Sequence, residues 1–306
     1  MAPRVRLPAP GEPGRQRRRD RGGLMRRGRL TGYWLMLPAG LWLAVFFVIP
    51  FYSLLATSLY DPEGSVLTGY DVGYRFANFV DVLQEFWRPL LRSLTYAGIA
   101  TLICLVLGYL LAYAIAFKAG RWRTLLLVLV IAPFFTSFLI RTLSWKLILA
   151  DDGFIVDALQ TLHLMGENDR LLATPVAVIA GLVYNFLPFM VLPLYASLEK
   201  IDGRLVEAAG DLYASPSRGF LKVTLPLSMP GVVAGTLLTF IPAAGDYINA
   251  QLLGSTNQRM VGNVIQDLFT DTGDYAAAGA LSVLLMVVIV AMVMVYIRKA
   301  GTEELL

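Results

Sequence analysis

Few side chains in this sequence can do chemistry, and their types favour holding a cation over breaking a bond. Asp246 stands inside an apolar stretch, just after Pro242 and Gly245, with Tyr247 and Asn249 beside it. An ionisable group at membrane depth is expensive and marks a functional position by default. Pro242 and Gly245 open a helix there, so a carboxylate, an aromatic face and a carboxamide carbonyl can meet a cation together. Tyr184 and Asn185 offer a second, weaker pair in another apolar stretch. Each position also has a structural reading. Asp246 lies about 24 Å of helix beyond Pro230, near an interface where water would hydrate it. Asn185 and Tyr184 equally suit hydrogen bonds between helices.

Catalysis finds little support. His163 is the one histidine and Cys104 the one cysteine. Zinc needs several such ligands at short spacing, and a disulfide needs two cysteines. His163 reads as a solvated loop residue. The sequence contains no Gly-x-x-x-x-Gly-Lys-Ser/Thr phosphate loop, no His-Glu-x-x-His and no Gly-x-Ser-x-Gly. We therefore expect no catalytic residue, no metal site and no cofactor bound by this chain. A membrane-embedded enzyme is the reading these absences disfavour.

The elements that position these residues are membrane spans. The chain is 57% hydrophobic and only 16% charged, whereas a soluble domain carries about 25% charge. Lipid as solvent lets outward side chains stay apolar. Runs of about 20 apolar residues cross the hydrocarbon, and six qualify: roughly 33–57, 94–117, 124–145, 174–197, 230–253 and 276–297. Pro38, Pro50, Pro133, Pro188, Pro193 and Pro242 fall within them and predict kinks. The run from Tyr33 to Leu59 is too long for a secretion signal and no Ala-x-Ala follows it, so it reads as a retained span.

Charge sets the expected orientation. With the N-terminus inside, 19 of the 26 Lys and Arg residues fall on inside segments, as the positive-inside rule requires. Asp61, Glu63, Asp71, Asp151, Asp152, Asp271 and Asp274 fall outside. Both termini are expected in the cytoplasm. Residues 1–30 carry ten arginines and four prolines with almost no apolar content, which predicts a disordered basic tail. Such a tail fixes orientation and touches anionic lipid; nucleic acid is the rejected partner. Residues 31–298 form the expected membrane domain and 299–306 a second cytoplasmic tail. Arg141 and Lys146 are expected to snorkel to headgroups or pair with Asp151 or Asp152. The outside segments 76–91 and 262–269 are amphipathic, and read either as surface lids or as packing elements. Gly231 and Gly235 form a small-xxx-small pattern for close helix packing.

The inside loop 199–229 is long for a plain connection. Asp202 can cap a helix through Leu205, Val206 and Ala209, and Ser215-Pro216 suits the start of a second one. Phe220, Val223 and Leu227 recur at helical steps. The expected product is a helix–turn–helix knuckle whose alanines permit close approach by another protein.

Here the sequence resembles a family. Glu207-Ala208-Ala209, followed by Ala214, Phe220 and Leu225-Pro226, is similar to the "EAA" loop of ABC importer permeases. The family places a glycine six residues after the glutamate, where this chain has Tyr213. Arg92-Ser93-Leu94 with Gly108-Tyr109, Pro133 to Ser137 with Arg141 and Trp145, Phe186 to Tyr195, and Pro242 to Tyr247 with Gly262 to Gln266 resemble the polyamine (spermidine/putrescine, "B"-type) branch. The resemblance spans about residues 33–297.

It implies an all-α polytopic fold of the type I ABC importer permease class, in the cell inner membrane. It implies that the loop docks on an ATPase dimer, which uses ATP and Mg, and that a second homologous permease and an extracytoplasmic substrate-binding protein complete the machine. The chain itself is then a pore subunit and not an enzyme. Two other functions stay open at this point. One is a permease for another small solute such as iron, phosphonate, sulfate or sugar phosphate. The other is an ion-coupled secondary transporter, which would not need the docking loop.

Overall fold

A computed structural model describes residues 35–64, 69, 71, 73–166 and 169–300. The expected basic tail 1–30 lies outside the described residues. So does the 299–306 tail, except that residues 299 and 300 continue the last helix. Among the described residues the chain is almost entirely helical and forms no β-strand.

Among the described residues, those up to Leu54 and those from Leu55 onward form two compact units. The first unit holds most of α1 (Leu35–Ser58), whose window is apolar throughout. A π-turn at Ala44–Val48 precedes Pro50. A wider turn there accommodates a ring that would otherwise clash with the carbonyl four residues earlier.

The second unit is built on three helices. α2 spans Ala77–Tyr113 and continues through a π-turn at Ala114–Lys118. The amphipathic 76–91 stretch is therefore not a separate element. It is the first part of α2, with non-helical backbone at Phe86 just before Pro89. α6 (Pro175–Leu198) is capped by the Thr174 hydroxyl, which accepts from the Ala177 N–H at 3.3 Å. α9 spans Met229–Ala244. These three helices meet around Met190. An added Cβ on Gly108 of α2 would lie 2.9 Å from Met190 Cγ, and one on Gly235 of α9 would lie 2.8 Å from its Sδ. Lipid tails give helices no hydrophobic reason to associate, so such close van der Waals contact holds them together.

The third expected span is not straight. It consists of α3 (Arg123–Ile131), a 3₁₀ turn at Ala132–Phe135, and α4 (Phe138–Ile148), bent by 95°. Thr136 and Ser137 are extended (ψ 152° and 138°), and the Pro133 carbonyl accepts from Thr136 N–H and Oγ1 at 3.1 and 2.8 Å. α5 (Phe154–Thr161) follows outside this elbow.

Beyond α6, the 199–229 region folds as α7 (Gly203–Asp211) and α8 (Pro216–Leu227). α8 includes a π-turn at Phe220–Thr224 ahead of Pro226 and meets α9 at a 66° bend. The fifth span also breaks. After Ala244 the helix stops, and α10 (Ile248–Leu253) restarts it. The remaining helices are α11 (Val261–Thr270) and α12 (Tyr275–Ala300).

Among the described residues four helices are long and apolar enough to cross a bilayer alone, and each bent pair counted as one span brings the total to six. α11 answers the lid question for 262–269. Val261, Val82, Leu90, Ala280, Leu281 and Leu285 share one buried cluster, so the two amphipathic segments pack on α12 and on each other.

Candidate functional site

The break between α9 and α10 places Asp246. Pro242 has no N–H to donate, which weakens the last turn of α9. Gly245 then ends it, and Asp246 N–H reaches the Ala243 carbonyl at 3.3 Å. The loop is pinned from α11: Asn263 Nδ2 donates to the Tyr247 carbonyl at 2.8 Å. Gly262 must be glycine for this approach, because a Cβ there would sit 2.6 Å from the Gly245 carbonyl oxygen.

Asp246 is 8% exposed. Its Oδ1 accepts from Asn249 N–H at 2.8 Å and from Asn249 Nδ2 at 3.2 Å, which caps α10. Oδ2 has no hydrogen-bond partner among the described residues. Asn249 Oδ1 accepts from Asn185 Nδ2 at 3.1 Å, and the same amide donates to Thr142 Oγ1 at 3.2 Å. Asn185 Oδ1 is buried with no donor. Three predicted residues, Asp246, Asn249 and Asn185, therefore meet in one buried network that joins α9, α10, α6 and α4. Tyr247 stays beside them, 38% exposed.

Tyr184 is not brought to this group. One step along α6 from Asn185, it lies edge-on to Trp145 with centroids 5.3 Å apart. It lines an open apolar groove of about 530 Å³ with Ile99, Ile103, Val183 and Leu187. The helical turn of about 100° per residue sends the two neighbours to different surroundings. Sequence reading missed Thr142, whose signal was only a hydroxyl one residue after Arg141. It also misplaced Arg141. Its side chain does not snorkel to a surface; it is buried, with Nε and Nη1 unpartnered and its guanidinium 5.3 and 5.6 Å from the Phe134 and Phe138 ring centroids. The 95° elbow turns this part of α4 inward, which a straight span would not do.

The 199–229 knuckle has a well-defined build. The Asp202 carboxylate accepts from Arg204 N–H at 3.0 Å and caps α7. Its C-terminus closes with two reaching bonds: Tyr213 N–H to the Gly210 carbonyl at 2.9 Å, and Ala214 N–H to the Ala209 carbonyl at 3.0 Å. That pair of bonds defines a Schellman cap, whose left-handed position favours glycine. Tyr213 occupies it at φ +59°. The turn is thus the one a glycine would make, held by a residue for which it costs about 1 kcal/mol or more. The Tyr213 ring is 97% exposed, so it recovers nothing by packing on this chain.

Tyr213→Gly is expected to stabilise this cap by about 0.5–1 kcal/mol, while Tyr213→Ala leaves the strain in place. Amide exchange at residues 213 and 214 should slow about 2–5-fold in the glycine variant only. Equal exchange in both variants would remove the strain argument.

Glu207 and Ala208 of α7, Leu212 just beyond it and Pro226 of α8 are exposed, and Ala209, Ala214, Phe220 and Leu225 are partly covered. Phe220 ties the knuckle to α2: its ring meets Tyr109 and Tyr113 edge-on at 5.4 and 6.3 Å. Tyr109 Oη also shares a 2.7 Å hydrogen bond with Ser228 Oγ, at the bend into α9. At the same end, Arg123 pairs with Glu199 and Tyr195, joining α3 to the end of α6.

The geometry is that of an exposed helical knuckle tied to a bundle with a broken span and a buried carboxylate, and comparison decides the family. The profile of the "Binding-protein-dependent transport system inner membrane component" family matches residues 104–300. The chain belongs to this family. It is an inner-membrane permease subunit of an ABC importer. The spermidine/putrescine transport system permease protein PotB of Haemophilus influenzae is 39% identical over 84% of this chain and 90% of its own length. PotB of Escherichia coli K12 is 39% identical over 85% of this chain and 94% of its own length. A solved bacterial ABC transporter involved in import of the acidic polysaccharide alginate matches this permease's fold with a TM-score of 0.72. That match has 19% identity and covers 93% of this chain and 100% of the solved one.

Proposed function

We propose that this permease carries polyamine cations inward, driven by ATP that partner subunits hydrolyse. The observation that carries the substrate class is Asp246: a buried carboxylate at a helix break, with one oxygen unused and no ion-pair partner among the described residues. A desolvated carboxylate beside an aromatic ring suits an ammonium group. The PotB relatives, named for spermidine and putrescine, support the same class. An anionic solute such as phosphonate, sulfate or sugar phosphate would be repelled there.

In this reading the 199–229 knuckle faces the cytoplasm and docks on an ATPase dimer. Glu207, Ala208 and the Leu212–Tyr213 tip present the contact surface. Phe220, Leu225 and Pro226 pass the motion to α2 and α9. A second permease completes the pore, and a binding protein delivers the cation from outside. Residues 1–30 form a basic cytoplasmic tail against anionic lipid.

The test is uptake by liposomes containing this permease purified with its ATPase and second permease, supplied with binding protein. Labelled spermidine or putrescine should accumulate only with ATP. Accumulation driven by an ion gradient in liposomes holding this chain alone would establish the secondary-transporter reading instead.

A further inference from the structure

The bend between α8 and α9 is held by one buried side chain. Ser228 lies in it, 0% exposed, where the two helices meet at 66°. Pro226 and Pro230 stand on either side and have no N–H to donate one turn back. Ser228 supplies what they lack. Its N–H donates to the Thr224 carbonyl at 3.0 Å and to the Leu225 carbonyl at 3.2 Å. Its hydroxyl also donates to the Leu225 carbonyl, at 3.0 Å. A hydroxyl has one proton, so in the 2.7 Å contact between Tyr109 Oη and Ser228 Oγ the phenol is the donor. The proton order is therefore fixed: Tyr109 O–H to Ser228, and Ser228 O–H to Leu225.

Tyr109 touches both arms of the bend. Its ring lies edge-on to Phe220 of α8, with centroids 5.4 Å apart, and its hydroxyl holds Ser228 at the start of α9. Tyr109 itself cannot drift, because the neighbouring Gly108 brings α2 against Met190 of α6. Among the described residues no other side-chain hydrogen bond joins α2 to α8, to α9 or to the bend. A hydrogen bond weakens steeply once misaligned, and in this enclosed position no solvent stands ready to replace it. The bond thus fixes the angle between α8 and α9 against a third helix. The other end of α9, about 24 Å away, is the break that carries Asp246.

We propose that Tyr109 is a positioning residue for coupling: its hydroxyl pins the α8–α9 bend, so that displacement of the docked knuckle turns α9 and is not absorbed by flexing of the bend. This rests on the reading of 199–229 as the ATPase-docking element. It assigns the Gly108-Tyr109 pair two tasks, the glycine for close packing and the phenol for holding the bend.

The test uses the assembled transporter in proteoliposomes, with Tyr109→Phe, Ser228→Ala, the double variant and Ala208→Trp. Phenylalanine keeps the ring on Phe220 and removes only the hydroxyl. ATP hydrolysis is measured with and without saturating loaded binding protein, and the ratio of the two is the readout. Loss of one buried neutral hydrogen bond corresponds to about 5-fold. We expect Tyr109→Phe to lower the stimulation ratio by about that factor with basal hydrolysis unchanged, and to cost nothing further in the Ser228→Ala background, as a double-mutant cycle requires of one shared bond. A ratio equal to the parent in Tyr109→Phe overturns the proposal. So does the same loss repeated in the Ser228→Ala background. So does a parallel fall of basal and stimulated hydrolysis, which marks a loosened fold and not lost coupling. Should Ser228→Ala fail to assemble, the ratio and basal rate of Tyr109→Phe decide alone. Lost stimulation in Ala208→Trp with a normal Tyr109→Phe overturns the pin and leaves docking standing. Full stimulation in Ala208→Trp defeats the docking reading, and the pin with it.

Discussion

Asp246→Asn is expected to lower spermidine uptake at least about 30-fold, since removing one charge from a buried pair costs about 2–5 kcal/mol. The change is nearly isosteric. An asparagine can still cap α10, because its carbonyl can accept the Asn249 N–H that Asp246 Oδ1 now receives at 2.8 Å. Assembly with the ATPase and second permease should therefore persist. What disappears is the negative charge at an oxygen with no partner in this chain. The measurement is initial uptake in proteoliposomes, normalised to the amount of complex recovered. Uptake equal to the parent across polyamine concentrations would reduce Asp246 to a helix cap.

Ala208→Trp is expected to cut ATPase stimulation by loaded binding protein about 10-fold or more, within the range of allosteric coupling energies. Ala208 is exposed on α7, so an indole there meets no atom of this chain's core. The variant should insert and fold normally, and its defect must then arise at a surface that another protein covers. Glu207→Ala should act in the same direction by removing a charge that has no ion-pair partner among the described residues. Both effects should appear as loss of coupling, with basal hydrolysis by the ATPase unchanged. Full stimulation and full uptake in both variants would mean that the knuckle is a connector only.

The proposed docking of the knuckle gives its contacts with the helix bundle a role in coupling. Phe220 is wedged against Tyr109 and Tyr113 of α2, and Ser228 bonds Tyr109 at the start of α9. α2 and α9 close on α6 around Met190 with glycines on both sides. Helices in such close contact cannot slide past one another without repacking Met190.

Sequence alone determined the solvent, the approximate spans and the helix–turn–helix build of the 199–229 loop. Each rests on local rules: apolar run length against bilayer thickness, and caps and turns set by neighbouring residues. Asp202 capped α7 as its type required, and Ser215-Pro216 opened α8. The left-handed turn at Tyr213 was not legible this way: the residue type argued against it, and only the bonds of the cap in the structure reveal it. The tertiary structure decided what no local rule reaches. It separated Tyr184 from Asn185, joined Asn185 to Asn249 and Asp246, and turned Arg141 inward through the 95° elbow. The physical reason is that burial of a polar side chain depends on which helix faces it. Proline and glycine mark where a span breaks, but the angle of the break follows from packing against the neighbouring helices.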